Sequence, residues 1–396
     1  MILEIDLSRL DIFSDKYIKL FELKCNQKII KYKKNHVFKV FFIYYLRVLY
    51  SFLHSFKVKR VYNNSIVISH LDSIDNYGYL NKEKYCKYNK LNNNIIYLVS
   101  EIIKFPKYLY WFLNIKSDYK NQIFEAFLKS QIIIGFTKKY NLKKIIFFGY
   151  DYDLVFLYAT IQLNQINIQT ELYCNSGFLG VHNLEVANKV YCRTKIHKYY
   201  MLSRKDIFLS KDINYLFNSK RISNQTIVNK IAIYTSGYYA RSKLNFTDNN
   251  TIHQGIISEQ QIIETMRKYA IENPNIDIVL FIHLHNNIEN IIDAKIYYKD
   301  FLSLDNVRLQ DENENSIENF NSYDLGVCCM SEIFFDRYER GYKTILMNPF
   351  ALDDFIINST LKNVTVYSNN LNTIDKINDY LKMKDEKYFN LLEKNE

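Results

Sequence analysis

A chain of 396 residues exceeds what one hydrophobic core usually supports, so two domains of roughly 150 to 200 residues are the first expectation. Hydrophobic residues make up 48% and charged residues 24%, and only 9 Gly and 3 Pro punctuate the chain, which argues against a disordered or loop-rich protein. The 52 Lys and Arg against 42 Asp and Glu give a net charge of +10, leaving nucleic acid, an anionic membrane face and anionic small substrates as partner classes.

The N-terminal stretch MILEIDLSRLDIF has no basic run leading into an apolar one, so no secretory signal is read there. Six cysteines without C-x-x-C spacing are expected to be buried free thiols, and together these features point to the cytoplasm. Residues 28–60, KIIKYKKNHVFKVFFIYYLRVLYSFLHSFKVKR, interleave cations with aromatic and aliphatic side chains. The uncharged run between Lys39 and Arg47 is too short to span a bilayer. The segment reads either as a basic amphipathic helix resting on anionic lipid or as a helix of the first domain with solvated ends. The 35 Tyr and 27 Phe are too numerous for any one of them to serve as a functional signal.

From residue 61 the pattern alternates. Residues 65–70, 94–100, 144–150 and 169–174 read as strands, and 119–139 and 154–164 as helices. The polar stretch 218–230 marks a boundary, which divides the chain into a first domain over 1–222 and a second over 223–396. The second half repeats the alternation: strands at 231–236, 277–283, 307–310, 325–330, 343–348 and 365–368, with helices between them and a final one at 373–383. Such alternation predicts an α/β protein of two Rossmann-like domains, with a ligand held in a cleft at the carboxyl ends of their strands.

Three strand ends of the second half carry residues suited to a phosphorylated ligand. In TSGYYARSK, Ser236 and Gly237 allow close backbone approach, while Arg241 and Lys243 can neutralise phosphate or simply be solvated cations of a turn. In FIHLHNN, His283 and His285 share a face of extended chain, with no further ligand nearby to complete a metal site. One histidine facing the cleft can donate to an anionic leaving group; otherwise both are polar strand-end residues. In CCMSEIFF, Ser331 follows a strand and opens a helix, and the Glu332 carboxylate suits two ribose hydroxyls rather than phosphate. The plain alternative is an N-cap with a favourable first-turn acid. In the first half, GYDYD places Asp151 and Asp153 where a strand hands over to a helix. Each can act as a general base, cap the helix or, as an Asp-x-Asp pair, hold a metal.

The order IAIYTSGYYAR, then DIVLFIHLHNN, then LGVCCMSEIFFDRYERGYKTILMN resembles the C-terminal domain of bacterial GT-B glycosyltransferases that build surface polysaccharides, capsule and lipooligosaccharide sialyltransferases among them. The resemblance covers residues 230–396. It implies that the first domain binds the acceptor and the second the nucleotide, with a nucleotide sugar such as CMP-sialic acid as donor and a glycan or lipid-linked glycan as acceptor. The two-domain reading adds that no metal or cofactor is required, and segment 28–60 adds peripheral contact with an anionic membrane. By position in that group, His283 would assist the leaving phosphate and Ser331 would hold it; the two-domain reading makes Asp151 or Asp153 the candidate base for the acceptor. Leu284 stands where proline is usual in that group, and the turn has a single serine. Asn175, Ser176 and Gly177 stand where an acidic Asp-Gly motif is expected. Rival readings are a polyol-phosphate transferase using a CDP-linked donor, a catalytically idle partner in a polysaccharide complex, and a nucleic-acid-binding protein. Against the last, cations disperse beyond residue 60 and no zinc, helix-turn-helix or RNP pattern is present, so no nucleic-acid partner is expected.

Overall fold

The computed structural model describes residues 64–69, 84–88, 91, 95–149, 154–174, 186–203, 212–217, 229–241, 249–283, 289–312, 314–350, 353–370 and 372–393, together with Phe42, Tyr45, Leu46 and Leu49. The chain folds as two compact units, residues 1–193 with 204–215 and residues 194–203 with 216–396.

In the first unit, β1 (Ser65–Ser69), β2 (Tyr85–Lys87), β3 (Lys144–Gly149), β4 (Gln169–Cys174), β5 (Lys189–Thr194) and β6 (Asp212–Phe217) form a six-stranded sheet in the order β2-β1-β3-β4-β5-β6. The pairs β1–β2, β1–β3, β3–β4 and β4–β5 are parallel. The helices are α1 (Ile95–Asn114), α2 (Lys120–Lys139), α3 (Leu154–Gln165) and α4 (Lys195–Ser203), the last grouping with the second unit. Parallel strands need helical crossovers, and the apolar runs of β1 and β3 are buried as such crossovers require.

One expectation fails here. Residues 94–100 read as a strand in the sequence, but 95–100 open α1. A seven-residue apolar run fits a strand or a buried helical turn equally well. The longer segment decides, because Tyr97, Leu98, Glu101, Tyr108, Trp111 and Phe112 are buried at helical spacing. The sheet gains its edge and far strands from β2, β5 and β6, which the chain pattern did not announce.

In the second unit all six expected strands form: β7 (Lys230–Tyr234), β8 (Asp277–Phe281), β9 (Val307–Leu309), β10 (Leu325–Cys328), β11 (Thr344–Met347) and β12 (Thr365–Val366). Their order is β12-β11-β10-β7-β8-β9, with every adjacent pair parallel. The chain moves outward from β7 to β9, then crosses back to place β10 on the other side of β7. That reversal is the topological switch point of a doubly wound sheet, where ligands sit outside the carboxyl ends of the strands. The connections include α5 (Tyr238–Arg241), α6 (Asn249–Glu272), α7 (Ile291–Tyr297), α8 (Lys299–Leu302), α9 (Ile333–Glu339) and α10 (Asp353–Ile357), and α11 (Thr373–Lys382) and α12 (Asp385–Glu393) follow the last strand. Ile231, Leu280, Val327 and Met347 of the sheet pack with Ile262 and Met266 of α6 and Ile377 of α11 in one core.

Five described cysteines are free and buried, as their spacing suggested; Cys25 lies outside the described residues. Burial pushes the Cys328 thiol up to about 12, so it behaves as a small apolar residue rather than a nucleophile.

Arg337 of α9 is completely buried. Its guanidinium donates to Thr344 Oγ1 (2.9 Å), Tyr234 OH (3.0 Å), Tyr323 O (3.1 Å) and Lys343 O (3.2 Å) and lies 5.0 Å from the Phe320 ring centroid. Gly326 of β10 makes room for it: a Cβ there would fall 2.7 Å from Arg337 Nε and 2.9 Å from Thr344 Oγ1. Gly326→Ala is therefore expected to cost about 1–3 kcal/mol through overpacking, read as a lower denaturation midpoint with little change in slope. An unchanged midpoint would mean that the arginine shifts freely.

Candidate functional site

The candidate site is assembled at the carboxyl ends of β7, β8, β9 and β10. β7 runs into Thr235 and Ser236, and Gly237, at φ 66°, turns the chain into α5. That left-handed conformation is one that a Cβ would disfavour. Two buried carboxylates fix the turn from below. Glu259 of α6 accepts from the amides of Ser236 (2.5 Å) and Tyr238 (3.0 Å). Glu289 accepts from the Thr235 hydroxyl (2.6 Å) and, with the same oxygen, from the His283 amide (2.5 Å). The Glu289 amide in turn donates to His283 O at 3.1 Å, closing the loop between them. Ser236 Oγ donates to Met330 O at 3.1 Å, which ties the end of β7 to the turn after β10.

Arg241 bridges these pieces. Its Nε donates to Ser236 O at 2.6 Å, and its Nη2 lies 3.2 Å from His283 Nε2. A guanidinium can only donate, so Nε2 is the acceptor and the ring proton sits on Nδ1. Gln310, just after β9, accepts from the Ile282 amide at 2.8 Å and so orders the end of β8.

Above this framework lies a cavity of about 570 Å³. Tyr234 and Thr235, His283, Gln310, and the turn Ser331–Glu332 line it, contributed by four different strands. Glu312, Glu314 and Asp336 complete an acidic rim. Glu314 is neutralised locally: Arg308 donates to both its oxygens (2.8 and 3.1 Å), which holds its carboxyl down at about 2.

Of the residues singled out from sequence, His283, Ser331 and Glu332 meet in this cavity. Ser236, Gly237 and Arg241 form the adjoining turn and reach the cavity through the Arg241–His283 contact. Ser331 Oγ is 3.4 Å from the Ile333 amide, but the N-cap position of α9 falls on Glu332, whose side chain makes no capping bond. Asp151, Asp153, Lys243 and His285 lie outside the described residues, as do Asn175, Ser176 and Gly177. Glu259, Glu289 and Gln310 were missed. Glu259 carried a readable signal, since it sits three and seven residues before the buried Ile262 and Met266, on the apolar side of α6.

No protein-family model matches the chain. No curated protein matches it either. Among solved structures the chain is similar to Acinetobacter baumannii MurG, at 11% identity over 88% of both chains with a TM-score of 0.45. It is also similar to the Neisseria meningitidis UDP-GlcNAc 2-epimerase bound to UDP-GlcNAc, at 12% identity over 84% of this chain and 94% of that one, TM-score 0.43. A glycosyltransferase from Rickettsia africae gives 12% identity over 84% and 93%, also with a TM-score of 0.43.

Burial, reinforced by the neighbouring Glu289 charge, pushes the Glu259 carboxyl up to about 8 against the pull of its two amide donors and Arg241. Burial raises Glu289 as well. The folded protein thus keeps a proton that the unfolded chain releases in the ordinary glutamate range. The associated stability is present at low pH and lost as pH rises towards about 8. Melting temperature is expected to fall between about pH 5 and pH 8, and Glu259→Gln, which cannot titrate, to flatten that fall even though it weakens one amide bond. An equally steep decline in the variant would assign the pH dependence to other groups.

Proposed function

We propose that the chain is a metal-independent glycosyltransferase that moves a sugar from a nucleotide-activated donor to a glycan acceptor. The observation that carries this reading is the convergence of His283, Ser331 and Glu332 on one cavity flanking the β7–β10 switch point. A cavity of about 570 Å³ lies within the roughly 300–1,000 Å³ usual for small-molecule sites. Its chemistry is divided to suit a nucleotide. The His283–Arg241 pair and the Ser331 hydroxyl favour an anionic phosphate, while the Glu332 carboxylate would repel phosphate and accept from two ribose hydroxyls.

In this reading negative charge grows on the donor phosphate as the glycosidic bond breaks. Arg241 supplies fixed positive charge. An arriving phosphate competes for the guanidinium, frees His283 Nε2, and favours its protonation, so the imidazolium can donate to the departing oxygen. A carboxylate of the first half, Asp151 or Asp153, takes the acceptor proton. The donor class includes CMP-sialic acid, and the acceptor class is a bacterial surface glycan such as capsule or lipooligosaccharide, free or lipid-linked. Such an acceptor is met at the inner face of the cytoplasmic membrane.

Three measurements test the reading. His283→Ala should lower single-turnover transfer on the order of 100- to 1,000-fold with an unchanged melting temperature; near-native rates would make the histidine structural. Glu332→Gln should narrow the preference for a ribonucleotide over its 2′-deoxy counterpart in a thermal-shift series, whereas an unaltered preference places the ribose elsewhere. Transfer should survive EDTA. Complete loss restored by manganese or magnesium would move Asp151 and Asp153 into a metal site.

A further inference from the structure

The helix α1 is apolar on both faces. Its inner face buries Tyr97, Tyr108, Trp111 and Phe112. On the outer side Ile96 is 79% exposed, Ile103 73%, Tyr110 71% and Leu113 64%, with Val99 and Ile102 about half exposed. At about 100° per residue these six side chains occupy an arc of roughly 120°, along a helix of about 30 Å. Surface helices of soluble domains show charge on that side; a helix apolar all round is normally covered. Crossing a bilayer would not cover it, because among the described residues no helix is long and apolar enough to do so, and α1 carries Glu101, Lys104 and Lys107 within its span.

Charge indicates what covers it. The single acid of α1, Glu101, is turned inward, where it accepts from Tyr108 OH at 2.8 Å and from Lys104 Nζ at 3.1 Å. Lys104 and Lys107 follow the apolar arc on one edge, so the outer side of the helix carries cations and no carboxylate. The patch continues onto a second helical face. Phe42, Leu46 and Leu49 are exposed at helical spacing, and Tyr45 between them packs edge-on against Phe105 of α1 at 6.2 Å. Those residues belong to segment 28–60, which contains nine Lys and Arg and no Asp or Glu.

We propose that the outer face of α1, extended by Phe42, Leu46 and Leu49, docks the protein in the plane of an anionic lipid bilayer. Apolar side chains enter the boundary between headgroups and acyl chains, and the flanking cations meet lipid phosphates. A second copy of the chain is a poorer occupant, since pairing this face with itself would bring two cationic edges together. The proposal locates the membrane contact on named residues and does not depend on which reaction the cavity performs.

The test is co-sedimentation of the full chain with vesicles of phosphatidylcholine alone or mixed with phosphatidylglycerol. Wild type is expected to bind the anionic vesicles, with salt weakening the binding without abolishing it. Ile103→Asp combined with Leu113→Asp should weaken binding at least tenfold, with an unchanged melting temperature because both side chains are already exposed. If that variant melts early, Lys104→Glu with Lys107→Glu carries the comparison: about fivefold weaker binding per residue on anionic vesicles and none of that loss on neutral ones. No binding of wild type, or wild-type binding by both variants, overturns the proposal. So does a concentration-dependent dimer that the same aspartates abolish, which would make the face a contact between copies.

Discussion

One carboxylate oxygen holds the candidate site in register. Glu289 Oε2 accepts both the Thr235 hydroxyl and the His283 amide, so the ends of two adjacent parallel strands are fastened at a single point. Leaving a buried polar group without its partners is costly, so the arrangement tolerates little drift. Everything that reaches the cavity from β7 and β8 inherits its position from this clamp. Arg241 is placed by Ser236, Ser236 is placed by Glu259, and His283 is placed by Glu289. The acids under the turn are thus structural counterparts of the basic and hydroxyl groups that face the cavity. They also make the turn sensitive to pH, because burial raises both acids while the Arg241 guanidinium pulls on each of them.

How much of this was legible in the chain depended on which half was read. In residues 223–396 all six described strands were foreseen, because most are short apolar runs buried on both faces and set off by polar turns, with β9 and its exposed Arg308 the exception. His283, Ser331 and Glu332 could be selected for the same reason: polar residues at the ends of such runs have few places to go except the ligand face of the sheet. Glu259 and Glu289 lie on a helix and after a loop, where a carboxylate is unremarkable until its partners are known. In the first half, residues 94–100 misled because seven apolar residues hold too few periods to separate a strand from a helix. β5 escaped because Lys189, Tyr191 and Arg193 alternate with buried Val190, Cys192 and Thr194, a pattern too short and too polar to stand out.

The two sheets solve the same problem with different windings. The second is wound outward in both directions from the β7–β10 junction, and the first has its reversal between β1 and β3. In each, the reversal leaves loops departing to opposite sides, so a crevice opens at the strand ends without any helix needing to be displaced. GYDYD follows β3, one of the two strands at the reversal of the first sheet. That placement is why Asp151 and Asp153 hold interest as bases, whatever their side chains contact.

Arg337 has a further implication, for cooperativity. Its guanidinium gathers carbonyls of Tyr323, Lys343 and Phe320, the hydroxyls of Tyr234 and Thr344, and the aromatic face of Phe320. Those groups belong to three stretches of chain far apart in sequence, and all rely on one donor fork. None can open without stranding polar atoms in the others. Amide hydrogens of β7, β11 and the 320–323 turn should therefore exchange with solvent at a common rate, as one opening unit, rather than fraying separately from the edge of the sheet.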